Sequence, residues 1–284
     1  MARGVGARDA VNPKLLPRTI AAALSLGALA LSARAQSDQA CAPEALAPVD
    51  AWLAAHPFVT GSTLPGSLVA AACKPWPSSP SRIVVAAAYR SGSEERKNIA
   101  IALVDTAAGR VRSAFKGVID EDPFLRIGAE SLRVDTAPHR LAAGIQAFGV
   151  DVSSSRSTLP PCADGTWTWR RTLFVAEGAT VRPVLDVLSI SSWKAVPDPS
   201  RCRSDADDMV GEPGTTATTL SVATHATHGL ADLVVTDTVQ PTQGPARRER
   251  YTLRYDGSKY RGKGASLDAW GTIEPETAPT RDGR

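Results

Sequence analysis

The feature that most constrains this chain is its punctuation. Short apolar or alternating runs end repeatedly at tight-turn dipeptides, and helical periodicity between them almost vanishes after the proline-rich passage Pro75, Pro77, Pro80. Arg82–Tyr89 (R-I-V-V-A-A-A-Y) and Asn98–Val104 have the length of buried strands, and the turn Thr106–Gly109 leads into the alternating run Arg110–Phe115. Trp167, Trp169, Arg171, Leu173 and Val175 share one strand face, Glu177-Gly178 turns the chain, and Val181, Pro183, Leu185 and Val187 return on another. Tyr251, Leu253 and Tyr255 alternate with Thr252 and Arg254 before Asp256-Gly257, whose residues both tolerate positive φ. Ile145–Val152, Leu220–Ala223 and Leu230–Thr236 supply further strands.

Hairpins succeeding one another without helices between them predict an all-β fold: an antiparallel succession of hairpins, sandwich or propeller-like, with a short N-terminal helical cap. A full propeller needs four strands per blade at about 40–45 residues, against roughly a dozen strands here. The cap helix is expected at Val49–Ala55, with Val49, Trp52 and Leu53 on one face and Pro57 beyond its end. Asp151–Thr158, Pro197–Thr219 and Val239–Arg248 read as polar loops.

Residues 1–35 have the form of a secretory signal peptide. Arg3, Arg8, Lys14 and Arg18 precede the apolar run Ile20–Leu31, and Ala33-Arg34-Ala35 suits cleavage near Ala35. About 12 apolar residues are too few to span a bilayer core, which takes about 20, so the product is expected to be periplasmic or secreted and not membrane-spanning. The expected organisation is 1–35 leader, 36–77 disulfide-tied cap, 78–270 all-β domain and 271–284 disordered tail. Cleavage removes five bases and one acid, taking the formal net charge from +3 to −1. A near-neutral product gives no electrostatic ground for a nucleic-acid partner. The basic stretch Gly244–Lys263 is read as a solvated hairpin face.

All four cysteines, Cys41, Cys73, Cys162 and Cys202, lie in the exported part, where an even count implies disulfides. Of the three possible pairings, Cys41 with Cys73 and Cys162 with Cys202 is preferred, since each closes a loop of about 30–40 residues, worth roughly 3–4 kcal/mol by chain entropy. No C-x-x-C spacing supports a zinc site.

Reaction centres leave little trace. There is no G-x-S-x-G, G-x-G-x-x-G or H-E-x-x-H. Ser113–Lys116 and Ser191–Lys194 spell S-x-x-K, but in strand-like runs and without the partner motifs of penicillin-recognising enzymes. His225-Ala-Thr-His228 before Gly229 reads as a turn, and the acidic clusters Asp120-Glu121-Asp122 and Asp205-Ala-Asp207-Asp208 as solvated loops. No cofactor and no metal is expected. Trp167 and Trp169, with Arg171 on the same face, form the candidate binding residues. Aromatics at period two more often pack into a core, but a charge on that face favours partial exposure.

Gly229-Leu-Ala-Asp-Leu-Val-Val235 resembles the closing half of an FG-GAP repeat of integrin-type propellers, in which an acidic calcium loop precedes the strand. Here Thr224, Ala226 and His228 occupy the positions of those acids, so the resemblance covers about ten residues and carries no calcium chemistry. Cys73-Lys-Pro-Trp-Pro77, Ala147-Phe-Gly-Val150 and Arg182-Pro-Val-Leu185 resemble uncharacterised exported proteins of Gram-negative bacteria, a likeness that implies a compartment and no activity. The expected function is therefore non-catalytic binding of a protein or glycan of the cell envelope, as an inhibitor, immunity-type protein or interaction module. The alternative is an envelope hydrolase whose carboxylates and histidines converge only in the fold. The oligomeric state is left open.

Overall fold

A computed structural model describes residues 39–59, 67–121, 126–153, 166–194, 214–262 and 272–276, with the side chains of 166–168 and 193–194 excluded. Helix α1 (Pro43–Ala55) is followed by strands β1 (Leu68–Trp76), β2 (Ser79–Arg90), β3 (Arg96–Asp105), β4 (Arg110–Asp120), β5 (Leu132–Ala142), β6 (Ile145–Val152), β7 (Thr166–Glu177) and β8 (Thr180–Lys194). Then come β9 (Gly214–Thr227), β10 (Leu230–Pro241), β11 (Arg247–Tyr255), β12 (Tyr260–Arg261) and β13 (Glu274–Pro275). The fold is all-β with one short helix.

The thirteen strands form one hydrogen-bonded network in the order β1-β2-β3-β4-β8-β9-β10-β11-β12, with β7, β6 and β5 branching from β8 and β13 pairing with β4. It is therefore a single sheet of hairpins, not closed into a barrel, rather than a set of separate blades. The expected antiparallel order holds except at one place. Ala114 of β4 and Thr180 of β8 pair in parallel, and the Ala114 N–H donates to Ala179 O at 3.1 Å.

Alternation along the strands sends side chains into three cores. The first is enclosed by β1 to β8 and includes Trp76, Phe115, Phe148 and Phe174, whose rings meet at centroid distances of 5.4–5.9 Å. The second lies on the opposite face of β6 to β8, where Leu173, Val175 and Leu185 are covered by Leu233, Val235, Leu253 and Tyr260 from β10 to β12. The third holds α1 against β2 and β3 through Ala45, Val49 and Leu53, spaced four residues apart and buried on Val85, Ala87 and Ala102.

The helix starts six residues earlier than the sequence predicts. Pro43 occupies its first turn, where no N–H is missed, and the packed face outweighs the interior Pro48. The proline-rich passage Pro75, Pro77, Pro80 is the turn region of the β1–β2 hairpin, in which Trp76 pairs with Ser79. Thr215–Thr219, expected in a loop, opens β9, because β-branched threonines suit a pleated face. Within the expected tail, Glu274–Pro275 pair with β4 beside the buried Ile273. The FG-GAP-like segment is a two-residue hairpin: His228 and Gly229 take φ of 50° and 86°, and Leu230 pairs with Thr227.

The expected Cys41–Cys73 disulfide is present and ties the approach to α1 to the middle of β1. Cys162 and Cys202 lie outside the described residues, as do Asp122 and the 205–208 acidic cluster. Among the described residues no helix is long and apolar enough to cross a membrane.

Candidate functional site

The face of β5, β6 and β7 that continues outward from the second core is polar. Leu132 and Val134 of β5 enter the first core, so alternation turns Arg133 and Asp135 the other way. Phe148, Val150 and Val152 of β6 enter the same core, leaving Gly149 and Asp151 on the polar side. On β7 it is Phe174 that faces the first core, with Arg171 on the other side. The ladders then set Arg133 opposite Asp151, Asp151 opposite Arg171, and Asp135 opposite Gly149.

Arg171 is the centre of this arrangement. Its guanidinium grips Asp151 with two bonds, Nε to Oδ1 at 2.6 Å and Nη2 to Oδ2 at 2.8 Å, and its Nη1 donates to Asp135. The bidentate fork is a geometry only arginine supplies. Asp135 also accepts the Ala137 N–H at 2.9 Å and stands 3.9 Å from His139 Nε2. Burial alone would raise the Asp135 carboxyl, but the His139 ring and the Arg171 guanidinium more than reverse this and hold it well below the usual carboxylate range. Arg171 was expected to favour exposure because a buried unpaired charge is costly. Here two carboxylates pair it, and its side chain is only 13% exposed.

Gly149 makes the pairing possible. A β-carbon there would stand 2.9 Å from both Cδ and Nε of Arg171, so the stem crosses β6 where no side chain intervenes. Gly149→Ala is expected to destabilise the fold by about 1–3 kcal/mol, as overpacking does, with the denaturant midpoint as readout.

Trp169 lies two residues along β7, half-buried, with the Arg133 guanidinium 3.7 Å from its ring centroid. This cation–π pair is the outer part of the patch: Arg133 is exposed, while Arg171 and the two aspartates beneath hold the strands in register. Trp167 shares β7, but its side chain is not among those described. Sequence periodicity indicated the β7 face; Arg133, Asp135, Asp151 and His139 were missed because none belongs to a local motif.

Among the described residues, the groups that spelled possible chemistry are committed elsewhere. Ser113 Oγ donates to Gly178 O at 2.6 Å, while Lys116, its S-x-x-K partner, donates to Pro57 O and pairs with Glu276 at 3.0 Å. Glu121, expected in a solvated loop, is buried: it pairs with Lys97 and accepts the Ile127 N–H at 2.6 Å, while Asp120 pairs with Arg96. His225 Nδ1 meets Asp232 Oδ2 and His228 Nδ1 meets Tyr255 O, both at 2.9 Å. No group of three or more His, Cys, Asp or Glu is placed to hold a metal among the described residues.

Comparison with protein-family models, curated proteins and solved structures finds no match.

Proposed function

We propose that the chain is an exported, soluble, non-catalytic binding protein of the periplasm or extracellular space, engaging an envelope protein or glycan through the Arg133–Trp169 pair. The observation that carries the reading is that pair: an exposed guanidinium stacked on a half-buried indole, beside an ion network in which Arg171 joins Asp135 and Asp151. An indole beside an exposed guanidinium is suited to recognition, and both residue types concentrate binding energy at interfaces. The Cys41–Cys73 bond supports export, since disulfides persist in oxidising compartments. The structural engagement of Ser113, Lys116, Glu121, His225 and His228 supports a non-catalytic role.

The test is retention of envelope fractions by the immobilised chain, compared with its Arg133→Ala and Trp169→Ala variants. A specific species bound by the parent and lost at least tenfold by both variants is expected. Equal retention by all three, or hydrolysis of peptidoglycan abolished by replacing an Asp or Glu, would overturn the reading.

A further inference from the structure

Further across the sheet from Trp169, beyond β8, lies a second group of exposed residues. Strands β9, β10 and β11 cover the second core with one side: Leu233, Val235 and Leu253 point inward. Their register places Thr219, Thr236 and Arg250 in one outward row, and Ala217, Thr238 and Arg248 in the next. The β9 and β11 members of these rows are exposed and the two β10 threonines half-buried.

Among the described residues the charge on this face is uncompensated. Arg96, Arg112, Arg171, Arg182 and Arg261 each pair with a carboxylate. Arg248 and Arg250 have no hydrogen-bond or ion-pair partner among the described residues. The neighbouring acids do not reach them: Glu249 alternates to the other side, and Asp237 also faces that way, accepting Thr218 Oγ1 at 2.6 Å. Asp232, near Arg254 at the far end, is buried under its bond with His225. Two like charges about 7 Å apart on one strand repel, and a bound anion would relieve that repulsion.

We infer that the outer face of β9 to β11 binds an acidic polysaccharide, its arginines meeting the anionic groups and its threonines the sugar hydroxyls. The inference rests on the reading of the chain as a binding protein but uses different residues. Two other kinds of polyanion fit the face less well. Tyr251 alternates inward, so within β9 to β11 neither row carries an aromatic on which nucleic-acid bases could stack. Val59 and Leu68 are the exposed large hydrophobics among the described residues, and neither lies on this face to enter a membrane.

The test uses the purified chain with alginate as the acidic polysaccharide and dextran as the neutral one, by calorimetry at low and high salt. Alginate is expected to bind and dextran not. Arg248→Gln with Arg250→Gln should weaken alginate binding at least tenfold and flatten its salt dependence, and Thr219→Val with Thr236→Val should weaken it several-fold at fixed salt. No alginate binding, equal binding by the arginine variant, or tighter binding to polyphosphate, single-stranded DNA or anionic vesicles would overturn the inference. If envelope capture through Trp169 fails while alginate still binds, the Trp169 reading falls and this one stands; the reverse outcome removes only this one.

Discussion

Arg171→Ala is expected to lower the folding free energy by about 3–5 kcal/mol, the range for removing one partner of a buried ion pair. The variant leaves Asp135 and Asp151 without the guanidinium that joins them, their side chains 22% and 9% exposed. Water reaches Asp135, so the effect belongs in the lower half of that range. A surface pair such as Arg96–Asp120, 41% and 49% exposed, is worth about 1 kcal/mol or less. The measurement is urea unfolding, with the midpoint shifted and the slope unchanged. A shift below about 1 kcal/mol would refute the assignment. The pH dependence gives an independent check. Because the folded Asp135 carboxyl titrates below its unfolded value of about 3.9, its contribution is complete above that pH and is lost as pH falls through the lower folded value. Without Arg171 the folded value rises, so the variant should acid-unfold at a higher pH than the parent.

That network also shows where sequence reading stops. Alternation placed Trp169 and Arg171 together on β7, and dipeptides such as Glu177-Gly178 marked real turns, with Gly178 at φ 60°. The partners of Arg171 were invisible for a physical reason. Asp135 and Asp151 lie 36 and 20 residues before it, and β5, which carries Asp135, does not look like a strand. Thr136-Ala137-Pro138 interrupts its pattern. In the fold those residues occupy a register shift between Asp135 and His139 on an edge strand, a position that tolerates proline because no ladder bond is demanded of it. Glu121 was misread in the same way. Its local surroundings are acidic, but Lys97, which neutralises it, comes from the neighbouring strand β3. Local chemistry thus indicated strands and turns, whereas the pairing of charges depended on register between strands.

Replacing Cys41 and Cys73 together by Ala is expected to lower stability by roughly 3–4 kcal/mol, since the bond closes a loop with a sequence separation of 32. The bond also secures a seam in the sheet. Strands β1 and β5 run close together but share no ladder among the described residues, and Gln39 spans them. Its carbonyl accepts the Cys73 N–H at 2.8 Å. On the other side its side-chain amide meets Val134 twice, donating to the carbonyl at 3.0 Å and accepting the N–H at 2.6 Å. Cys41 lies two residues from Gln39, so loss of the disulfide frees the segment that bridges the two strands. The Val134 amide should accordingly exchange with solvent faster in the double variant, beyond what the global change in stability accounts for. The parent in reductant should approach the variant's urea midpoint. Any further fall when the variant itself is reduced would report a second bond between Cys162 and Cys202. A double variant within 1 kcal/mol of the parent, with Val134 exchange unchanged, would show that the seam is held without this staple.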